Sequence, residues 1–495
     1  MKYDCLIIGA GLSGLTAAVI MAQKGYQTAV LEKSPHIGPT IRGFRREGIF
    51  FDTGFHYTGA LHDGGPLDIF FRYLGMRDGI EPIPYNPDGF DIFRCLDPPF
   101  EFPFPYGYHR IRERLAAAFP GEERAVDSYL QQVREAYRSK PYINLDPARS
   151  SLGLPIVNGP SLGEVLDNLT KDRLLKGVLS MHCLLHGVTP DKVPFFDHAV
   201  VAGSYYESVH AVKGGGTGLL RAFEERLKDL GVDIYCNREV REIFIGTDLA
   251  VSGLGTAGGE RFEGRCCIST LHPQQLLGIV PREAFRPSYR RRLEELEDTC
   301  SAVIVFARLR GEGPLLDRAN LFLLPHPEFP DPDETEEVEQ KLLFVSPVYG
   351  DGEGAVQEGV VVICPFPHTG SRNRSSSFPE EGSSHYDSFK KEMCGRIMGH
   401  LEASCPEFRE RMTVVECSTP RTLKRFTNSP FGSLYGVKHQ IDQINPLPVT
   451  KVKGLFLAGQ SIIAPGMLGA MISAFVACGA ILGHDRLRKE LRSWA

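Results

Sequence analysis

Tryptophan is almost missing from this chain of 495 residues: Trp494, in the tail, is the only one. Paired cysteines are missing too. The twelve cysteines are scattered, none falls in a CxxC pair, and the neighbours Cys266 and Cys267 have poor geometry for a mutual bridge. That excludes a disulfide framework and a zinc ribbon, and points to reduced, mostly buried thiols in a cytoplasm-like compartment. No metal ligand set stands out. His182, Cys183 and His186 come nearest, and they read as packing residues on a helix. There is no excess of positive charge. Lys plus Arg number 55 against 61 Asp plus Glu, a net charge of −6, so nucleic acid is not an expected partner. No secretory leader is expected either, since Asp4 interrupts any leader pattern. One stretch, 455–482, has no charged residue and is long enough to span a bilayer. Gln460, Ser461, Pro465 and the glycines at 459, 466, 469 and 479 argue instead for a buried strand, a loop and a buried helix.

What is present is ordinary globular material, 42% apolar and 23% charged, in a chain too long for one simple core. Two interleaved domains are expected. The first residues are the most informative. Cys5-Leu6-Ile7-Ile8 is an apolar run that ends at Gly9-Ala10-Gly11-Leu12-Ser13-Gly14. A helical stretch, 15–24, follows and stops at Gly25. A second apolar run, Thr28-Ala29-Val30-Leu31, ends at Glu32. This is the strand, glycine turn, helix, strand and acid of a dinucleotide fold. Gly9 permits the turn, Gly11 admits a pyrophosphate to the backbone, and Gly14 lets helix and strand close up. The helix start offers N–H groups and a positive dipole end to phosphate. An acid at Glu32 suits a free ribose and disfavours a 2′-phosphate, so the ligand is FAD or NAD.

A second such fingerprint is absent. Gly214-Gly215-Gly216-Thr217-Gly218 has the wrong spacing and no long strand before it. The one bound nucleotide must then carry the redox electrons itself, with an external electron donor or acceptor. FAD fits a chain of this length better than NAD.

Further along, helices are expected at 66–74, 108–119, 122–139, 219–230 and 388–405. Strands are expected at 232–236, 239–244, 265–270, 302–309, 342–347 and 359–365. The aromatic run 99–106 reads as extended hydrophobic lining. An acidic stretch, 328–339, and a serine-rich stretch, 369–384, read as mobile loops.

Four blocks together resemble the FAD-dependent amine-oxidase superfamily, and within it the phytoene desaturase, carotenoid isomerase and retinol saturase group. They are 3–59, the Gly214 block, Thr419-Pro420 to Gly436, and 454–482. Asp52-Thr53-Gly54-Phe55-His56-Tyr57-Thr58-Gly59 resembles the D-x-G-x-H-Y-x-G segment of the saturase branch. Gly459-Gln460 resembles its glycine-glutamine pair. The loop after the second strand departs from the pattern, with Gly38-Pro39 where paired glycines are usual.

The resemblance implies an α/β fold: a Rossmann-type FAD domain from 1–65, 205–274 and 411–485, and an interleaved α+β substrate domain from 66–204 and 275–410. It implies that Gly9, Gly11, Ser13, Gly14, Glu32, Lys33 and Arg42 hold the adenosine diphosphate part of FAD. The backbone of Val240 faces adenine, Gly459 and Gln460 lie by the ribityl chain, and Met467 and Leu468 lie by the ring. His56 and Tyr57 are the candidate catalytic proton donors, with Tyr435 behind them. The aromatic run, Tyr205, Tyr206 and Phe426 are candidates to line an oily tunnel. The implied activity is hydride exchange between flavin N5 and the C=C or C–C bonds of a hydrophobic polyene, isoprenoid or long-chain lipid. Peripheral membrane contact would go with such a substrate. An amine oxidase is the alternative within the superfamily, though the scarcity of tryptophan speaks against an aromatic cage. A lipid-binding relative without catalysis is the other.

Overall fold

A computed structural model describes residues 1–146, 159–334, 337–350, 355–368, 379 and 381–495. The serine-rich stretch at 369–384 lies for the most part outside the described residues, as do positions 335 and 336 of the acidic one.

Two sheets carry the molecule. The first is parallel, in the order Asp233–Tyr235, Thr28–Leu31, Cys5–Ile8, Cys266–Ser269, Leu455–Leu457. Its central strands are short, apolar and wholly buried, as a sheet covered on both faces requires. Helix Leu12–Gln23 is buried on every side from Leu12 to Met21, because the apolar helix Gly466–Leu482 packs against it. The register aligns the strand ends in one row: Ile8 lies opposite Leu31 and Ser269, Leu31 opposite Tyr235, and Ser269 opposite Leu457. Gly9, Glu32, Thr270 and Ala458 therefore leave the sheet along one edge. The chain winds outward in both directions from Cys5–Ile8, so this edge is the crevice where such sheets bind ligands.

The second sheet has seven strands, in the order Met412–Ser418, Ser301–Leu309, Gln357–Phe366, Leu343–Tyr349, Asn320–Leu324, Asp91–Cys95, Phe100–Phe104. Period-two alternation divides its side chains. Leu321 and Leu323 join the core under helix Ser384–Ser404, while Phe322 and Leu324 join an aromatic core. That second core includes Phe93, Phe104 and Tyr206, and helices Tyr108–Ala118, Glu123–Ser139 and Phe195–Glu207 contribute to it. The aromatic run forms the edge strand Phe100–Phe104, with Pro103 pointing to solvent where no ladder bond is needed.

Three segments pack across the expected domain boundaries. Helix Pro66–Leu74 buries Leu67, Phe70 and Phe71 in the core of the parallel sheet. Leu276, Leu277 and Leu293 join the same core. Strand Met412–Ser418 pairs instead with Ser301–Leu309 in the seven-stranded sheet. Composition does not reveal which of two apolar cores an amphipathic face will meet.

The uncharged stretch 455–482 resolves into strand Leu455–Leu457, a turn and the 17-residue helix Gly466–Leu482. Among the described residues, no helix is long and apolar enough to cross a membrane.

Candidate active site

At the end of the first strand, each glycine meets a different physical demand. Gly9 has φ +97°, and a Cβ there would sit 2.4 Å from Thr270 Oγ1. A Cβ on Gly14 would sit 2.0 Å from the Gly9 carbonyl oxygen, which is the helix-to-strand closure that forbids any side chain. A Cβ on Gly11 would meet nothing within 4 Å. The backbone at Gly11 borders open space at a helix start, which is the cradle a pyrophosphate needs.

Glu32 is buried beside it. Its carboxylate accepts hydrogen bonds from the Ala10 and Ser34 backbone N–H groups, each at 2.7 Å. Those bonds fix the carboxylate above the glycine turn and leave lone pairs for two ribose hydroxyls. Asn237 and Arg238 donate backbone bonds to the Ser34 and Glu32 carbonyls, so the strand holding Val240 leaves from the same spot. Gly38 N–H donates to the Ala10 carbonyl at 2.8 Å, folding the Gly38-Pro39 loop back onto the turn.

Three candidate contacts have other partners. The Ser13 hydroxyl donates to the Ala470 carbonyl at 2.8 Å, tying two helix starts together. Lys33 reaches Asn428 at 2.5 Å. Arg42 pairs with Glu224 at 3.2 Å and donates to the Ile37 carbonyl.

The other end of the crevice follows Leu455–Leu457. Gly459, at φ +123°, donates its N–H to the Ser473 hydroxyl at 2.5 Å. The Gln460 carbonyl accepts from His439 Nε2 at 2.9 Å. Helix Gly466–Leu482 then begins at a glycine whose Cβ would meet nothing within 4 Å. Met467 is half-buried and Leu468 buried in its first turn, where helical N–H groups have no partner within the helix.

Against this helix packs strand Thr58–Gly59, and the residues before it carry the candidate chemistry. His56 Nε2 is buried and, among the described residues, has no hydrogen-bond partner. Burial lowers the His56 pKa to about 4, so the ring is neutral at pH 7. Tyr57 belongs to an aromatic wall: its ring stacks on Phe344 and on Tyr85 and lies 5.0 Å from Tyr205. Its hydroxyl donates to Asp91 Oδ2 at 3.1 Å. Asp91, fully buried, also contacts His182 Nε2 at 2.9 Å and accepts from Asn320 Nδ2 at 2.8 Å. Burial and the Asp91 charge both push the Tyr57 phenol upward.

The tunnel candidates separate. Tyr205 is at the wall. Tyr206 is fully buried and contacts the Tyr129 hydroxyl at 3.2 Å, so it belongs to the core. Phe102 and Phe104 are also core. Phe426 is 52% exposed on helix Pro420–Thr427 and lines no interior space. Tyr435 packs beside Gly187 and Thr299. Next to it, a crevice is lined by Leu184, Gly187, Cys300, Phe329, Leu342 and Pro365.

Several residues here gave no signal in the sequence. Thr270 bonds the Ile8 carbonyl at 2.8 Å and follows a strand as Gly9 does, which is the one hint available. Asp91 and His439 stand in no motif, and His182 read as a packing residue; only the tertiary structure joins His182 to Asp91.

The donor set fits a flavin dinucleotide: an open glycine cradle, a carboxylate fixed beside it at the next strand end, and a second open helix start. The family model of flavin containing amine oxidoreductases matches residues 12–482. The chain belongs to that family. Its cofactor is accordingly FAD, and the protein is a flavin oxidoreductase. It is 24% identical to the all-trans-retinol 13,14-reductase of Danio rerio over 99% of this chain and 88% of the relative. It is 23% identical to a 4,4'-diapophytoene desaturase of Staphylococcus haemolyticus, over 92% of this chain and 93% of the relative. Among solved structures, an oxidoreductase from Methanosarcina mazei shares the fold, with a TM-score of 0.67 at 14% identity, covering 96% of this chain and 99% of that one.

Proposed function

We propose that this family member acts on carbon–carbon double or single bonds of a hydrophobic polyene, isoprenoid or long-chain lipid, as a saturase, desaturase or isomerase. A bound flavin supplies hydride exchange with carbon through N5. One observation carries the reading. The short segment that packs on the ring-end helix bears a buried, unpartnered imidazole nitrogen, His56 Nε2, next to a wall of Tyr57, Tyr85, Tyr205 and Phe344. An apolar wall excludes water and accepts a hydrocarbon chain. A neutral imidazole there holds or moves the single proton that accompanies hydride exchange with an alkene. Tyr57 positions the wall, with its hydroxyl fixed by Asp91.

An amine substrate would need a free carboxylate or an aromatic cage. Asp91, the buried acid of this wall, is already committed to Tyr57, His182 and Asn320. The electron partner is external, and a lipid substrate places the protein peripherally at a membrane on the cytoplasmic side. Both named relatives act on polyenes by their names, which supports the substrate class.

The test is anaerobic incubation of the purified flavoprotein, oxidised and reduced in turn, with retinoids, carotenoids and unsaturated fatty acids, followed by mass spectrometry. Gain or loss of two hydrogens, or a geometric isomer, is expected in one class. Peroxide release with amines and no change in any polyene would contradict the proposal.

A further inference from the structure

A second cluster lies behind the aromatic wall. The turn Met181–Leu185 is a tight 3-10 helix, not the regular helix expected for it, and His186 caps it. His182 turns to Asp91. Cys183 and His186 turn the other way, towards His198 on helix Phe195–Glu207. Cys183 Sγ is 3.9 Å from His198 Nδ1, and His186 Nε2 is 3.2 Å from the same nitrogen. Donor atoms of the three residues lie within 4.8 Å of one another, and the residues are 0%, 4% and 0% exposed.

We propose that Cys183 Sγ, His186 Nε2 and His198 Nδ1 form a site for a thiophilic d10 metal ion, zinc(II) or copper(I). Metal–nitrogen bonds near 2.0–2.1 Å and a metal–sulfur bond near 2.3 Å at tetrahedral angles put nitrogens about 3.3 Å apart and sulfur about 3.6 Å from nitrogen. The observed 3.2 and 3.9 Å lie close to these values, and the third edge, Cys183 Sγ to His186 Nε2, is within 4.8 Å. The outer partner is in place as well. With Nδ1 on the metal, His198 keeps its hydrogen on Nε2, which faces the Tyr129 hydroxyl at 3.2 Å. His186 Nδ1 is buried and has no hydrogen-bond partner among the described residues.

Binding forms one metal–sulfur and two metal–nitrogen bonds, and the Cys183 thiol releases its proton to solvent. No oxidant is required. Among the described residues no fourth His, Cys, Asp or Glu joins the three. That suits three-coordinate copper(I), whose single positive charge the thiolate neutralises, or zinc with an added water. The ion would pin the 181–186 turn to the helix that carries Tyr205.

The test uses the full-length flavoprotein, stripped with a chelator and reloaded with zinc(II) or copper(I) alone. Metal is counted by mass spectrometry, and the loaded protein is measured by X-ray absorption at the metal edge, where flavin does not interfere. One ion per chain is expected, with a shell of one sulfur and two nitrogens, and a higher melting temperature than the stripped protein. Cys183→Ala and His198→Gln should lose the ion and keep the flavin. Cys183→Val, which refills the space of the sulfur with apolar atoms, serves if Cys183→Ala does not fold. Uptake no greater than in these variants, or a shell without sulfur, overturns the proposal.

Discussion

Two glycines three positions apart make opposite predictions. Gly14 has no room for a methyl group and Gly11 has ample room. Gly14→Ala should therefore destabilise the fold itself by about 1–3 kcal/mol, the usual cost of overpacking, read as a lower denaturant midpoint even without flavin. Gly11→Val should leave the apoprotein's midpoint unchanged and abolish flavin retention on gel filtration. Glu32→Ala removes a charged acceptor from two backbone N–H groups and from the ribose. At about 1.5–3 kcal/mol for hydrogen bonds to a charged group, flavin should bind roughly 10–100-fold more weakly, measured by titrating apoprotein. His56→Gln should keep the flavin and slow turnover by about 10²-fold, in the range of general acid–base effects, while Tyr57→Phe should cost less because that hydroxyl is held by Asp91.

At the scale of elements, the sheet edge decides what can be reached. The strand–turn–helix–strand opening was legible because each part is local: an apolar run, glycines at fixed offsets and an acid at the next strand end. The strands at 266–269 and 455–457 were legible as apolar runs that end in a turn residue. That 266–269 lies beside Cys5–Ile8, and 455–457 beside 266–269, is a matter of long-range register, which no local pattern encodes. The same holds for Ser13. Its place in the motif suggests phosphate, yet its hydroxyl ties helix Leu12–Gln23 to helix Gly466–Leu482 through the Ala470 carbonyl. Ser13→Ala should cost about 1 kcal/mol of stability, the net worth of one such bond, with little change in flavin affinity. Phe426 shows the converse. It looked like tunnel lining from composition, but lies on the exposed side of a short basic helix.

Across the whole molecule, a buried histidine in the candidate site makes the fold sensitive to acid. Burial lowers the pKa of His56 to about 4. A histidine in the unfolded chain titrates near 6.5. Between these values the unfolded state binds more protons, so stability is fully present above pH 6.5 and is lost as pH falls towards 4. Each such histidine contributes a slope of up to ~1.4 kcal/mol per pH unit. Urea midpoints measured from pH 7.5 to 4.5 should fall steadily below 6.5, and less steeply in His56→Phe.

The account stands on a flavin dinucleotide lying along the edge from Glu32 to Gly466. The most direct measurement is the flavin content of the purified chain after extensive dialysis. The protein should be yellow, with one FAD per chain released on denaturation and none in Gly11→Val. A folded, colourless wild-type protein that takes up no FAD when it is supplied would contradict the account.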